Sequence, residues 1–80
     1  MQYDVTITIA LKEGMLDPEA RAIRNSLDHL GIPTLSLFTA RWFKIGLEAA
    51  DRDDAAARAR EICERVLANP VIHRYEIEVA

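Results

Sequence analysis

Few side chains in this sequence are of the kinds that carry chemistry, and their spacing limits what they can do. Cys63 is the only thiol, and it follows Ile62 on the apolar side of a predicted helix. A nucleophilic thiol needs exposure and a neighbouring base to draw off its proton. Neither is encoded nearby, so Cys63 reads as a buried structural residue. His29 stands between Asp28 and Leu30 near a helix end. Adjacent helical residues point about 100° apart, so Asp28 and His29 do not converge on one ion, and a metal site needs three or four convergent ligands. A histidine there suits the negative end of a helix. Asp51, Asp53 and Asp54 cluster, but the glycine and distant bidentate glutamate of a calcium loop are missing. Helix capping accounts for them. Ser26 falls mid-helix and Ser36 alternates with Leu35 and Leu37, so neither has a nucleophile-elbow context. Dinucleotide and P-loop glycine motifs, HExxH and CxxC are all absent. A stand-alone enzyme therefore lacks both a nucleophile and an acid–base pair.

Composition narrows the classes further. The 80 residues allow one domain, spanning 1–80, and half of them are hydrophobic while 29% are charged. That balance is globular, not disordered. A domain this small buries only about 60% of its unfolded surface, so a second chain would add usefully to a thin core. The net charge of -3 argues against recognition of a nucleic-acid backbone. With a single cysteine no internal disulfide forms. No basic start followed by an apolar run marks a signal peptide, and no stretch approaches the ~20 apolar residues of a membrane helix. A cytoplasmic protein that touches neither membrane nor nucleic acid is expected.

The elements follow from periodicity. Tyr3, Val5, Ile7, Ile9 and Leu11 alternate with Gln2, Asp4, Thr6, Thr8 and Ala10, which is the pattern of a half-buried strand. Asp17-Pro18 opens a helix whose stripe is Ala20, Ile23, Leu27 and Leu30, and Gly31 closes it. Residues 34 to 48 read as extended. Either Thr39-Ala40-Arg41 turns between two strands, or one long bent strand runs through; the usual strand length favours two. A second helix starts at Asp51 or Asp53. Its expected buried stripe is Ala55, Ala59, Ile62 and Val66, with Cys63 and Leu67 one row over, and Asn69-Pro70 ends it. Arg60–Glu64 and Glu61–Arg65 are i,i+4 pairs on its wet face. Tyr75, Ile77 and Val79 mark the last strand.

This order, β-α-β-β-α-β, predicts an α+β fold of ferredoxin-like type, with two helices on one face of an antiparallel sheet. The other face has no cover from its own chain. RNA-recognition modules of this fold present aromatics there on the central strands, whereas Gln2, Asp4, Thr6 and Thr8 are not aromatic. Trp42 is the outlier. Phe43, Ile45 and Leu47 take the core parity, so Trp42 and Lys44 take the other, and an exposed tryptophan beside Arg41 has the composition of an interface hot spot. The expected partner surface is Phe38, Arg41, Trp42 and Lys44, with His73 at the rim of the last strand.

Taken together, Leu16-Asp17-Pro18, Leu27 to Gly31, and above all Cys63 to Ile72 followed by Tyr75-Glu76-Ile77-Glu78 resemble the PurS family. These are small subunits of phosphoribosylformylglycinamidine synthase, and the likeness runs end to end. Two positions differ: Ala20 and Ala40 stand where the family usually has glycine. If the second glycine needs positive φ, alanine costs about 1 kcal/mol there; in a continuous strand it costs little. The resemblance implies a non-catalytic assembly subunit of a ligase in purine synthesis. It implies a homodimer that bridges a large PurL-like synthetase subunit and a PurQ-like glutaminase and supports ammonia transfer between them. ATP, magnesium and glutamine would be bound by those partners, and this chain would hold no cofactor or metal. The rival reading is a small-molecule sensor of the same fold, a class that binds ligand through loop glycines and backbone groups; here Gly14 and Gly31 flank the first helix.

Overall fold

The computed structural model of the chain describes residues 1–80. The elements run β1 (Gln2–Leu11), α1 (Pro18–His29), β2 (Ala40–Glu48), α2 (Arg52–Ile62) and β3 (His73–Val79), and a π-helical turn, Cys63–Leu67, extends α2. β1 is the centre of a three-stranded sheet ordered β2-β1-β3. Both pairings are antiparallel, with Ile7 opposite Phe43 on one side and Ile77 on the other. The fold is α+β, as the pattern predicts.

The core lies between one sheet face and α2. Val5, Ile7 and Ile9 are buried there against Ala55, Ala59 and Cys63, and Phe43, Ile45, Tyr75 and Ile77 pack around them. Alanine at 55 and 59 lets the helix backbone sit close to β1. The buried row is therefore Ala55, Ala59 and Cys63, with Leu67 half-buried behind it; Ile62 is only half-buried, and Val66, expected inside, is 76% exposed. The caps match their prediction. Asp17 accepts the Ala20 amide, and Asp51 accepts the Asp54 amide at 2.7 Å while Asp54 reaches back to the Ala50 amide. α1 ends with the Ile32 amide donating to the Leu27 carbonyl and the Gly31 amide to that of Asp28. That double closure needs a left-handed residue, and Gly31 supplies it at φ +78°.

Two expectations fail. Residues 34–39 form no strand; β2 starts at Ala40, so neither a turn at 39–41 nor one strand across 34–48 exists. A strand needs a hydrogen-bonding neighbour. These residues instead run back along α1, where the Arg24 guanidinium donates to the Thr34 carbonyl at 2.9 Å. The order is thus β-α-β-α-β, not ferredoxin-like. Nor does α1 lie over the sheet beside α2, the helix that packs on β1 and β3. It continues beyond the end of β1 as a projecting arm. A ten-residue strand followed by a twelve-residue helix end to end spans about 51 Å; the long axis of the molecule is 52 Å. The radius of gyration is 16.1 Å, against about 12 Å for a compact chain of this length.

Candidate partner interface

Alternation along β1 sends Thr6, Thr8 and Ala10 to the face away from α2. The register places them in rows across the sheet. Trp42, Thr8 and Glu76 form one row; Lys44, Thr6 and Glu78 form the next; Ala40, Ala10 and Arg74 form a third. Nothing in the chain covers this face. Its floor is small, and its two sides differ in character. The β2 side carries Trp42, 63% exposed, and Lys44. The β3 side carries Glu76 and Glu78, with Arg74 at 3.8 Å from Glu76. Phe38 stands at the arm end of the face, lining a shallow hollow with Thr8, Ala10 and Arg74.

The arm is the second uncovered region. Of eleven exposed large hydrophobic residues, seven fall between Met15 and Phe38. Leu35 is 102% exposed and Phe38 90%. Such a concentration of apolar surface marks an interaction site in a soluble protein. The arm is nonetheless ordered at its root, where the Thr39 hydroxyl donates to the Asp17 carboxylate at 2.6 Å. That bond, followed by the Ala20 amide, holds the Asp17 carboxyl below the ordinary aspartate range.

The predicted interface residues therefore separate. Trp42 and Lys44 share the open face, with Phe38 at its edge. Arg41 has the opposite parity: its guanidinium lies 5.0 Å from the centre of the Phe43 ring. Arg41 and His73 line a cleft on the α2 side, with Leu67, Pro18 and Glu19. Glu76, Glu78, Leu16 and Leu35 were missing from the sequence-based set. A signal for the glutamates was present, because they share a parity with Arg74 opposite the apolar Tyr75, Ile77 and Val79.

The remaining candidates have structural partners. Cys63 is fully buried, and desolvation pushes its thiol up, away from the thiolate that nucleophilic attack requires. His29 Nδ1 donates to the Asn25 carbonyl at 2.9 Å. His73 Nδ1 accepts the Asn69 amide at 2.8 Å, while the Asn69 carboxamide accepts the Val71 amide. Residues 69–73 are thereby tied into a closed turn. Glu61 and Arg65 pair at 2.8 Å as expected. Glu64 does not pair with Arg60; it accepts the Tyr75 hydroxyl at 2.9 Å, a bond that raises the phenol pKa. No group of three or more His, Cys, Asp or Glu is placed to hold a metal ion, and no helix is long and apolar enough to cross a membrane.

A family model described as PurS, phosphoribosylformylglycinamidine (FGAM) synthase, matches residues 4–80. The chain belongs to the PurS family. Among curated PurS subunits it is 38% identical to that of Methanocaldococcus jannaschii over 78 residues, covering 96% of this chain and 94% of the relative. It is 33% identical to that of Bacillus subtilis over 79 residues, covering 95% and 93%. Its fold superposes with a TM-score of 0.91 on MTH169, the PurS subunit of FGAM synthetase, at 31% identity and 96% and 92% coverage. The PurS-like C-terminal block, Cys63 to Ile72, forms the π-helical turn and the closed turn before β3. The two departures from the family pattern sit without strain. No residue other than glycine has positive φ, Ala40 is the first residue of β2, and Ala20 is buried.

Proposed function

We infer that this chain is the non-catalytic assembly subunit of phosphoribosylformylglycinamidine synthase, the glutamine- and ATP-dependent ligase of purine biosynthesis. In this reading it works in the cytoplasm as a homodimer that joins a large PurL-like synthetase to a PurQ-like glutaminase. The observation that carries the reading is the amount of ordered surface left uncovered. A bare sheet face and a projecting arm with exposed Leu35 and Phe38 serve a chain that binds other chains. Membership of PurS names the enzyme. A PurLQS structure from Thermotoga maritima, whose matching chain superposes at a TM-score of 0.87 and 23% identity, is in keeping with it. ATP, magnesium and glutamine belong to the partner subunits in this scheme, and Phe38, Arg41, Trp42, Lys44 and His73 contribute contacts.

The role has a physical rationale. Ammonia released at one active site escapes or is protonated unless the second site is held close, and fixing two sites relative to each other is catalysis by positioning. Reconstitution tests it. Synthetase and glutaminase subunits mixed with this chain should turn over with glutamine as nitrogen donor, and omission of the chain should abolish that. Equal glutamine-driven turnover without it contradicts the proposal.

A further inference from the structure

The two histidines hold their neighbours in opposite chemical senses. His29 Nδ1 lies 2.9 Å from the Asn25 carbonyl oxygen. A carbonyl only accepts, so this nitrogen carries a proton, and the bond survives when the second ring nitrogen is protonated as well. His73 Nδ1 lies 2.8 Å from the Asn69 amide nitrogen. A backbone amide only donates, so this nitrogen offers its lone pair. The His73 ring is therefore neutral, with its proton on Nε2. An imidazolium has two N–H donors and no acceptor, and would set an N–H against the Asn69 N–H. Asn69 and His73 hold each other twice, because the His73 amide also donates to the Asn69 carbonyl at 2.8 Å. Within that loop the Ile72 amide donates to the same carbonyl and the Val71 amide to the Asn69 carboxamide, both at 3.0 Å. Of these four bonds only the one to the ring involves an ionisable group.

The turn joins the π-helical end of α2 to β3 and exposes Val71 at 73%. Its Ile72 carbonyl accepts the Lys12 amide at 2.8 Å, where the chain leaves β1 for the arm. One ring nitrogen thus bears on both the start of β3 and the root of the arm. The charged groups on the cleft that holds the ring are Arg41 of β2 and Asp17 and Glu19 at the head of α1. Asp17 is committed to the Thr39 hydroxyl and the Ala20 amide. Tyr75, next on the same side of β3, donates to Glu64 of the π-helical turn, and Arg74 points to the open face. None of these carboxylates forms an ion pair with His73, so nothing holds a charged ring in place. We propose that the 69–73 turn is a proton-operated latch, closed while His73 is neutral and opened when the ring takes up a second proton. The bond to Asn69 exists only for the neutral ring. Its contribution is present on the alkaline side and lost on acidification across the range in which histidines ionise, roughly pH 8 to 5. The arm root and the start of β3 loosen together in that range, while the end of α1 at His29 does not.

Amide hydrogen exchange by NMR on the full chain tests the latch, with rates corrected for the intrinsic pH dependence of exchange. Protection of the Asn69 amide should fall about five- to tenfold between about pH 8 and pH 5, the loss expected for one hydrogen bond. The Lys12 amide should follow in the same direction, and the Ile32 amide, bonded to Leu27 on α1, should not. His73→Asn separates the bond from the charge. Its carboxamide oxygen stands near the place of Nδ1 and accepts the same amide but does not titrate, so Asn69 protection should be high and independent of pH. His73→Ala should leave that amide poorly protected at both pH values. The ring itself gives a measurement that needs no variant: nitrogen–proton correlations at about pH 8 should show His73 with its proton on Nε2, and His29 with a proton on Nδ1. A proton on Nδ1 of His73 at that pH overturns the proposal. Equal protection of Asn69 at both pH values overturns it too, as does the wild-type pH dependence persisting in His73→Asn. A matching loss at Ile32 would mark general loosening of the chain and would also contradict a latch at this turn.

Discussion

α1 and α2 are of similar length, Pro18–His29 and Arg52–Ile62, and both are capped by an aspartate. They serve different ends. α2 presents Ala55, Ala59 and Cys63 to β1 and leaves no exposed surface on that row. α1 carries the larger apolar residues, Ile23, Leu27 and Leu30, yet Ile23 and Leu30 are exposed and the helix stands beyond the sheet. Close packing within the chain has been arranged with small side chains, and the large ones are left over. The body, β1–β3 with α2, supplies stability. The arm and the open sheet face supply surface. This division sets the size of effect expected from each substitution.

The largest effect belongs to the body. Ile7 is fully buried at the centre of the sheet, and Ile7→Ala should cost about 2–5 kcal/mol in denaturant unfolding. Leu35→Ala in the arm makes the contrast, and should change the stability of the dilute chain by less than about 0.5 kcal/mol. A large loss at Leu35 under dilute conditions would break the division, because it would mean that the arm is packed in the monomer. Next in size is the α2 cap: Asp51→Ala should cost about 1 kcal/mol.

Acid should act on both regions. Asp54 is held below the ordinary aspartate range, first by the Ala50 amide and then by Arg58, and Asp17 by the Thr39 hydroxyl. A depressed folded-state pKa stabilises the fold above the ordinary aspartate range, and that contribution is lost as pH falls through the lowered value. Stability should therefore decline on acidification below about pH 4. Asp54→Asn should flatten the decline; an unchanged slope contradicts the assignment. A small effect is also expected at Ala40. It has a strand backbone, so Ala40→Gly, which restores the family's usual residue, should gain no stability and lose up to about 1 kcal/mol.

The body was legible in the sequence because its patterns are satisfied within the chain. Strict alternation marked β1, and Asp17-Pro18, Asp51 and Gly31 marked the helix ends. The stripe of α2 was read one row off, since hydrophobicity favours Ile62 and Val66 where close approach to β1 favours alanine. The arm misled for a different reason. Leu35 and Leu37 alternate as strand residues do, and Ile23, Leu27 and Leu30 repeat as a buried stripe does. Periodicity records that a residue is apolar on one side; it does not record which chain provides the cover. The failed fourth strand and the failed packing of α1 both lie in this segment. Trp42 and Lys44 were found by parity, whereas Arg41 was grouped with them by adjacency and turned out to face the opposite way.

Trp42 offers the most direct measurement of the division between body and surface. It is exposed at 63% on the edge strand β2, whose one neighbour, β1, carries the core residues Val5, Ile7 and Ile9. Trp42→Ala should leave the unfolding free energy of the dilute chain within about 0.5 kcal/mol of wild type, while self-association, or capture by the synthetase and glutaminase subunits, weakens by about 2 kcal/mol or more. Equal association, or a loss of folding stability as large as the loss of association, would contradict the account.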